Sequence, residues 1–150
     1  IRVLVRSRGL GDVYKRQVAV CAPVTRKGIA WAGCLDGEGD DWWYYLEVDY
    51  MENGTGTPVP VSSTETIWAN RHIDVGTVTY DPKLNTLSIT LRKGWSLRDI
   101  SEPVKIQGYN EIPSKTPDTG LLKSYRGKET NIEVPPHLYY VIHLDVQLCI

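Results

Sequence analysis

The chain has 150 residues, a formal net charge of −1 and 41% hydrophobic residues. That length suits one domain with a real core, and no apolar run approaches a membrane-spanning length. There is no Phe, so aromatic packing rests on five Trp and nine Tyr, while nine Pro and 13 Gly in short clusters between apolar runs favour an all-β chain over a helical one.

The chain opens on a stretch that must be set apart. Residues 7–17, SRGLGDVYKRQ, resemble the translation of a transposase-type sequencing adapter. The resemblance implies an environmental read whose open frame ran through the adapter. Residues 1–17 are therefore expected to be an artefact, disordered and outside the fold. Setting them aside takes five Lys or Arg and one Asp from 17 basic and 18 acidic residues, which leaves the remainder at net −5. An acidic domain argues against a nucleic-acid backbone as partner.

Residues 18–41 read as a linker or as the tail of a preceding repeat. Val18–Cys21 is a short apolar run, broken by Ala22-Pro23 and the basic residues that follow. Next comes an acidic, Gly-containing stretch. Asp36, Glu38 and Asp40 alternate there and are the candidate ligands of a calcium loop, since calcium takes six to eight oxygens. An EF-hand is excluded: counting from Asp36, the sixth position is Asp41 where that loop needs Gly, and an aromatic β-type run follows. The competing reading is a solvated acidic loop, and no other cofactor is expected.

Trp42–Tyr50 alternates as a strand with Trp42, Tyr44, Leu46, Val48 and Tyr50 on the core face. Trp43 and Tyr45 fall on the mixed face. Turned to solvent they would make a platform for sugar rings; turned inward they would be a second core layer or an interface. Met51–Ser63 reads as a loop, from Asn53-Gly54, Gly56, Pro58 and Pro60. His72–Tyr80 alternates as a strand, Asp81–Asn85 is turn chemistry, and Leu87, Ile89 and Leu91 mark a second, half-buried strand. Two antiparallel strands and a short polar loop account for these. Gly94-Trp95 gives a bend and an apolar anchor. Val104–Tyr109 reads as a strand, Asn110–Lys123 as a long irregular loop, and Ile132 and Val134 as a short strand. Tyr139–Leu148 (YYVIHLDVQL) is apolar on both sides near Val141-Ile142 and is expected at the centre of a sheet. The count is about seven or eight strands, which suits an antiparallel two-sheet β-sandwich, immunoglobulin-like or jelly-roll-like.

No zinc spacing links His72, His137 and His143, and no phosphate loop or nucleophile elbow is present. Cys21, Cys34 and Cys149 leave disulfide pairing open. The succession Ile67-Trp68-Ala69-Asn70, Ile73–Thr79, Leu87–Thr90 and Gly94–Leu97 is similar to a recurring, largely uncharacterised β-sandwich domain of bacterial secreted and surface proteins. That family commonly has Ala-Gly where this chain has Ala69-Asn70. The resemblance covers about residues 42–150 and implies a fold and a place outside the cell, with no functional residue to carry over. The expectation is a non-catalytic structural or adhesive module at 42–150. Its partners would be neighbouring domains of the same chain or glycans, with no nucleic acid and no membrane insertion. The alternatives are a carbohydrate-binding module using Trp43 and Tyr45, and a fragment of an extracellular hydrolase.

Overall fold

The computed structural model describes residues 24–38, 41–52, 54 and 56–149; at 24, 25, 34–38 and 41 it describes the backbone alone. Residues 1–17, Val18–Cys21 and Asp40 therefore lie outside the described residues. The described chain is all-β and antiparallel, with one short 3₁₀ turn at Thr119–Leu121. No helix among the described residues is long and apolar enough to cross a membrane.

Thirteen strands are described. They are β1 (Val24–Ala32), β2 (Cys34–Glu38), β3 (Asp41–Glu47), β4 (Tyr50–Glu52), β5 (Pro58–Pro60), β6 (Ser63–Ala69) and β7 (Ile73–Asp81). After these come β8 (Thr86–Leu91), β9 (Trp95–Leu97), β10 (Val104–Tyr109), β11 (Tyr125–Gly127), β12 (Asn131–Glu133) and β13 (Tyr139–Cys149). Eleven of them join one sheet, whose main path runs β11-β10-β13-β1-β6-β7-β8-β12; β4 and β5 form a separate hairpin. The two ends of the path, β11 and β12, are joined by only three residues, 128–130. So short a link draws the edges together, and the sheet curls into a nearly closed, barrel-like form that hides edges open to aggregation. The antiparallel β-rich fold expected from the alternating runs is present, but as one continuous sheet where two stacked sheets were expected.

β13 is the axis of the molecule. It pairs with β1, β10, β3 and β9, and Tyr140 to Gln147 are all buried. Its even-numbered face (Tyr140, Ile142, Leu144, Val146) enters the main core with Leu46, Ile67, Val78, Leu87 and Ile106. Each such aliphatic side chain contributes roughly 1.5–3 kcal/mol by leaving water. The opposite face carries Val141 into a second cluster with Trp31, Trp43, Tyr44 and Leu122.

Residues 24–38 are no linker. β1 sits between β13 and β6, with Ala30 and Ala32 fully buried, so the sheet is not divided at residue 42. Gly33 then turns the chain into β2 at φ +106°, where a Cβ would sit 1.9 Å from the Tyr45 carbonyl oxygen. Only glycine allows that approach. In β7 the expected alternation changes phase. Ile67 faces Gly76 but Trp68 faces Asp74, so Val75 is an extra, bulged residue. Val75 and Val78, expected on opposite faces, therefore both reach the core. The following β6–β7 turn holds Asn70 at φ 46° and Arg71 at φ 79°. Asn70 takes the left-handed backbone that Asn tolerates.

Candidate functional site

The strand expected over residues 42–50 breaks at Val48-Asp49, and Tyr50 starts a new hairpin. There it is 47% exposed, against the expectation of a core position. Its cross-strand neighbour is Pro60. Two polar segments meet this hairpin. One is the β7–β8 turn, carrying Pro82 and Asn85 behind Tyr80; the other combines Asn110, directly after β10, with Pro136-His137-Leu138, directly before β13. Together they enclose a cleft of about 340 Å³, at the small end of ligand pockets of roughly 300–1,000 Å³. A second hollow of about 500 Å³ adjoins it across Pro60 and Pro82 and adds Asp81 and Lys83.

The polar groups of the cleft are held from behind. Tyr80 donates its hydroxyl to Asn85 Oδ1 at 3.1 Å. Asn85 itself adopts φ 51° in the turn, and its carbonyl accepts from the Val134 amide at 2.8 Å. Asn110 Oδ1 lies 3.1 Å from His137 Nδ1. An amide oxygen only accepts, so Nδ1 is the donor, and in the neutral ring that leaves Nε2 as the acceptor. The backbone around His137 is fixed by Tyr140, whose hydroxyl accepts from His137 N–H at 2.9 Å and donates to the Pro135 carbonyl at 2.5 Å. Burial pushes the Tyr140 phenol well above its usual pKa against the opposing bond from His137 N–H, and the neighbouring Tyr80 hydroxyl adds to the rise, so it stays a neutral hydroxyl. Tyr80 is raised too, again mainly by desolvation. Gly108 completes the support: a Cβ there would lie 2.1 Å from His137 Cδ2, so the imidazole can pack on β10 only because position 108 has no side chain.

Chemically, the cleft offers the Nδ2 donors of Asn85 and Asn110, which meet no partner among the described residues. It adds one imidazole acceptor and the exposed flank of Tyr50. Leu138, 41% exposed, and Pro136 form its apolar rim. Among the described residues no Asp, Glu, Lys or Arg lines it.

The sites expected from the sequence lie elsewhere. Trp43 is 1% exposed and packs in the second core cluster, so its ring is not offered to solvent; Tyr45 is half-buried against Trp43 and Tyr139. A solvent-facing platform of these two is not formed, because β3 is covered on both faces. The position they occupy is the second core layer. Asp36 and Glu38 are described by backbone alone, in β2, and Asp40 lies outside the described residues, so the calcium reading stays an expectation. Cys149 is disulfide-bonded.

A second polar group lies on β13. Lys105 Nζ donates to Asp145 Oδ2 at 3.1 Å and to the Glu102 carbonyl at 2.9 Å. His143 packs edge-on against Trp31 with ring centroids 4.6 Å apart. Its Nδ1 and the Trp31 indole nitrogen are buried without a hydrogen-bond partner among the described residues. Burial holds the His143 pKa down at about 4; Asp145 opposes that shift and Lys105 adds to it. With Asp145 8% and His143 5% exposed, this group belongs to the interior.

Sequence reasoning missed Tyr50, Asn110 and His137, and placed Asn85 only as a turn residue. The available signal was Pro135-Pro136-His137 abutting the longest strand, since rigid segments at strand ends are where loops hold side chains in place. No family model, curated protein or solved structure matches the chain.

Proposed function

We propose that the chain is a non-catalytic, adhesive module of a secreted or cell-surface protein, and that it holds its ligand in the Tyr50–His137 cleft. The observation that carries this reading is the construction of the cleft. Asn85 and Asn110 have their oxygens engaged and their amide donors uncommitted, in a pocket backed by buried Tyr80 and Tyr140. Side chains pre-set in this way favour binding, because little rotamer freedom remains to be lost. The disulfide at Cys149 supports the location, since structural disulfides persist in oxidising compartments.

The test is adhesion of the full chain to immobilised polysaccharides, mucins and matrix proteins, beside Tyr50→Ala and a distal control, Leu121→Ala. The reading expects retention that falls in the Tyr50 variant alone, without turnover of the support. Retention equal in all three proteins would place any adhesion outside the cleft and end the reading.

A further inference from the structure

We infer that the ligand of this cleft is a neutral sugar, one or two pyranose rings of a longer glycan; the inference rests on the reading of the cleft as a binding site. Four features converge on that chemistry.

The first is charge. Among the described residues the cleft has no acidic or basic lining, and the adjoining hollow contributes one of each sign, Asp81 and Lys83. Phosphate, sulfate and carboxylate ligands would find no counter-charge, and burying an ion without one is costly.

The second is the hydrogen-bond inventory. A sugar hydroxyl is both a donor and an acceptor. The Nδ2 groups of Asn85 and Asn110 supply donors and His137 Nε2 supplies an acceptor, so vicinal hydroxyls can be met in both senses. A proline-rich peptide, the other natural occupant of a pocket lined by Tyr and Pro, brings carbonyls but few N–H groups, because proline has none. It would leave the imidazole acceptor unpaired, and a site built to hydrogen-bond a group discriminates strongly against ligands that lack it.

The third is shape. Tyr50 exposes nearly half its surface beside Pro60. A flat ring face complements the C–H face of a pyranose and leaves the hydroxyl edge free to turn toward the amides. The fourth is size: about 340 Å³, open to a second hollow along Pro60 and Pro82, fits a short piece of a chain that continues past the site.

The experiment is an NMR titration of the full chain with neutral oligosaccharides of glucose, mannose, galactose and N-acetylglucosamine at millimolar concentration, with a uronic-acid oligomer and a proline-rich peptide as comparisons. The expected result is saturable shifts at the Asn85 and Asn110 side-chain amides with a neutral oligosaccharide, and no saturation with the anionic one. Asn110→Ala and Tyr50→Ala are each expected to weaken binding by roughly tenfold, about 1.4 kcal/mol, with the dispersed spectrum of the folded domain retained. Because Asn110 also holds His137, Asn85→Ser serves as a milder variant and is expected to weaken the same sugar. Tyr50-dependent binding of the peptide with no response to any sugar overturns the sugar assignment and leaves the cleft as a binding site. Silence of the cleft signals toward the whole panel overturns both. Sugar binding that survives Tyr50→Ala and Asn85→Ser places the sugar elsewhere and overturns the inference.

Discussion

His143 makes stability depend on pH in a window that can be computed. Its side chain is 5% exposed on the central strand, between Trp31 of β1 and Lys105 of β10, with Asp145 two residues along the same face. Loss of hydration holds its pKa at about 4, against 6.5 for an unhindered imidazole; Asp145 pulls it up and Lys105 pushes it down. The folded state therefore binds fewer protons than the unfolded chain between those values. By linkage, stability is full above pH 6.5, declines as pH falls from about 6.5 to about 4, and levels below that. At 1.36 kcal/mol per unit, the 2.5-unit gap between those two values is worth about 3 kcal/mol. That is a large share of the roughly 5–15 kcal/mol that holds a domain folded. The assay is urea unfolding under non-reducing conditions, followed by Trp fluorescence at pH steps from 7.5 to 4, on wild type and His143→Leu. Other groups titrate nearby. Glu65 has its pKa raised, chiefly by desolvation, and slopes the opposite way; Asp74, held down chiefly by its hydrogen bond from Arg92, acts below this window. The difference between the two proteins isolates His143. Wild type is expected to lose about 3 kcal/mol more than the variant across the window. Parallel curves would refute the argument, since a protonated imidazole would then be tolerated where the packing says it is not.

Three further outcomes follow from the same geometry. Gly108→Ala drives a methyl into His137 Cδ2; it is expected to cost about 1–3 kcal/mol and to shift the His137 ring signals as the bond to Asn110 breaks, read by urea melts and NMR. Lys105→Met leaves Asp145 buried without its 3.1 Å partner and is expected to cost about 3 kcal/mol or more, much of it regained in Lys105→Met/Asp145→Leu, measured as a double-mutant cycle. Cys149→Ser removes the disulfide at the end of β13 and is expected to cost roughly 2–4 kcal/mol, seen as a lower melting temperature and matched by adding reductant to wild type.

The parts of the fold legible in the sequence were those whose burial follows from local pattern. β8 alternates because one face is buried, with Leu87 and Ile89 inward. β13 is apolar on both sides around Val141 and Ile142 because strands flank it and clusters cover both faces there. β1 was missed for a physical reason. VTRKGIAWA pairs with β13 along its length but carries its buried residues only at the end that also pairs with β6, and its Arg26 and Lys27 stay exposed. A strand that is half rim and half core has no clean period. The bulge at Val75 hid the phase of β7 in the same way, because an extra residue interrupts the period of two.

The cleft was illegible for a different reason, and that reason bears on how it works. Its residues come from five places along the chain: Tyr50, Pro60, the turn at 82–85, Asn110 and 136–138. None forms a local pattern, since each stands at the end of a strand and is brought to one place by the sheet order. Gly108 and Tyr140 make the dependence concrete. They face each other across the β10–β13 ladder, one leaving the space that His137 fills and the other bonding the backbone of the segment that carries it. The site is thus fixed by register. A slip of one residue between β10 and β13 would turn Tyr140 out of the core, and with it would go the position of His137 and its bond to Asn110. The same ladder also holds the His143–Asp145–Lys105 group, with Lys105 opposite His143. A slip would separate Lys105 from Asp145 and leave two buried charges without partners, at several kcal/mol. The buried polar row that makes the protein acid-sensitive therefore penalises the slip that would dismantle the cleft.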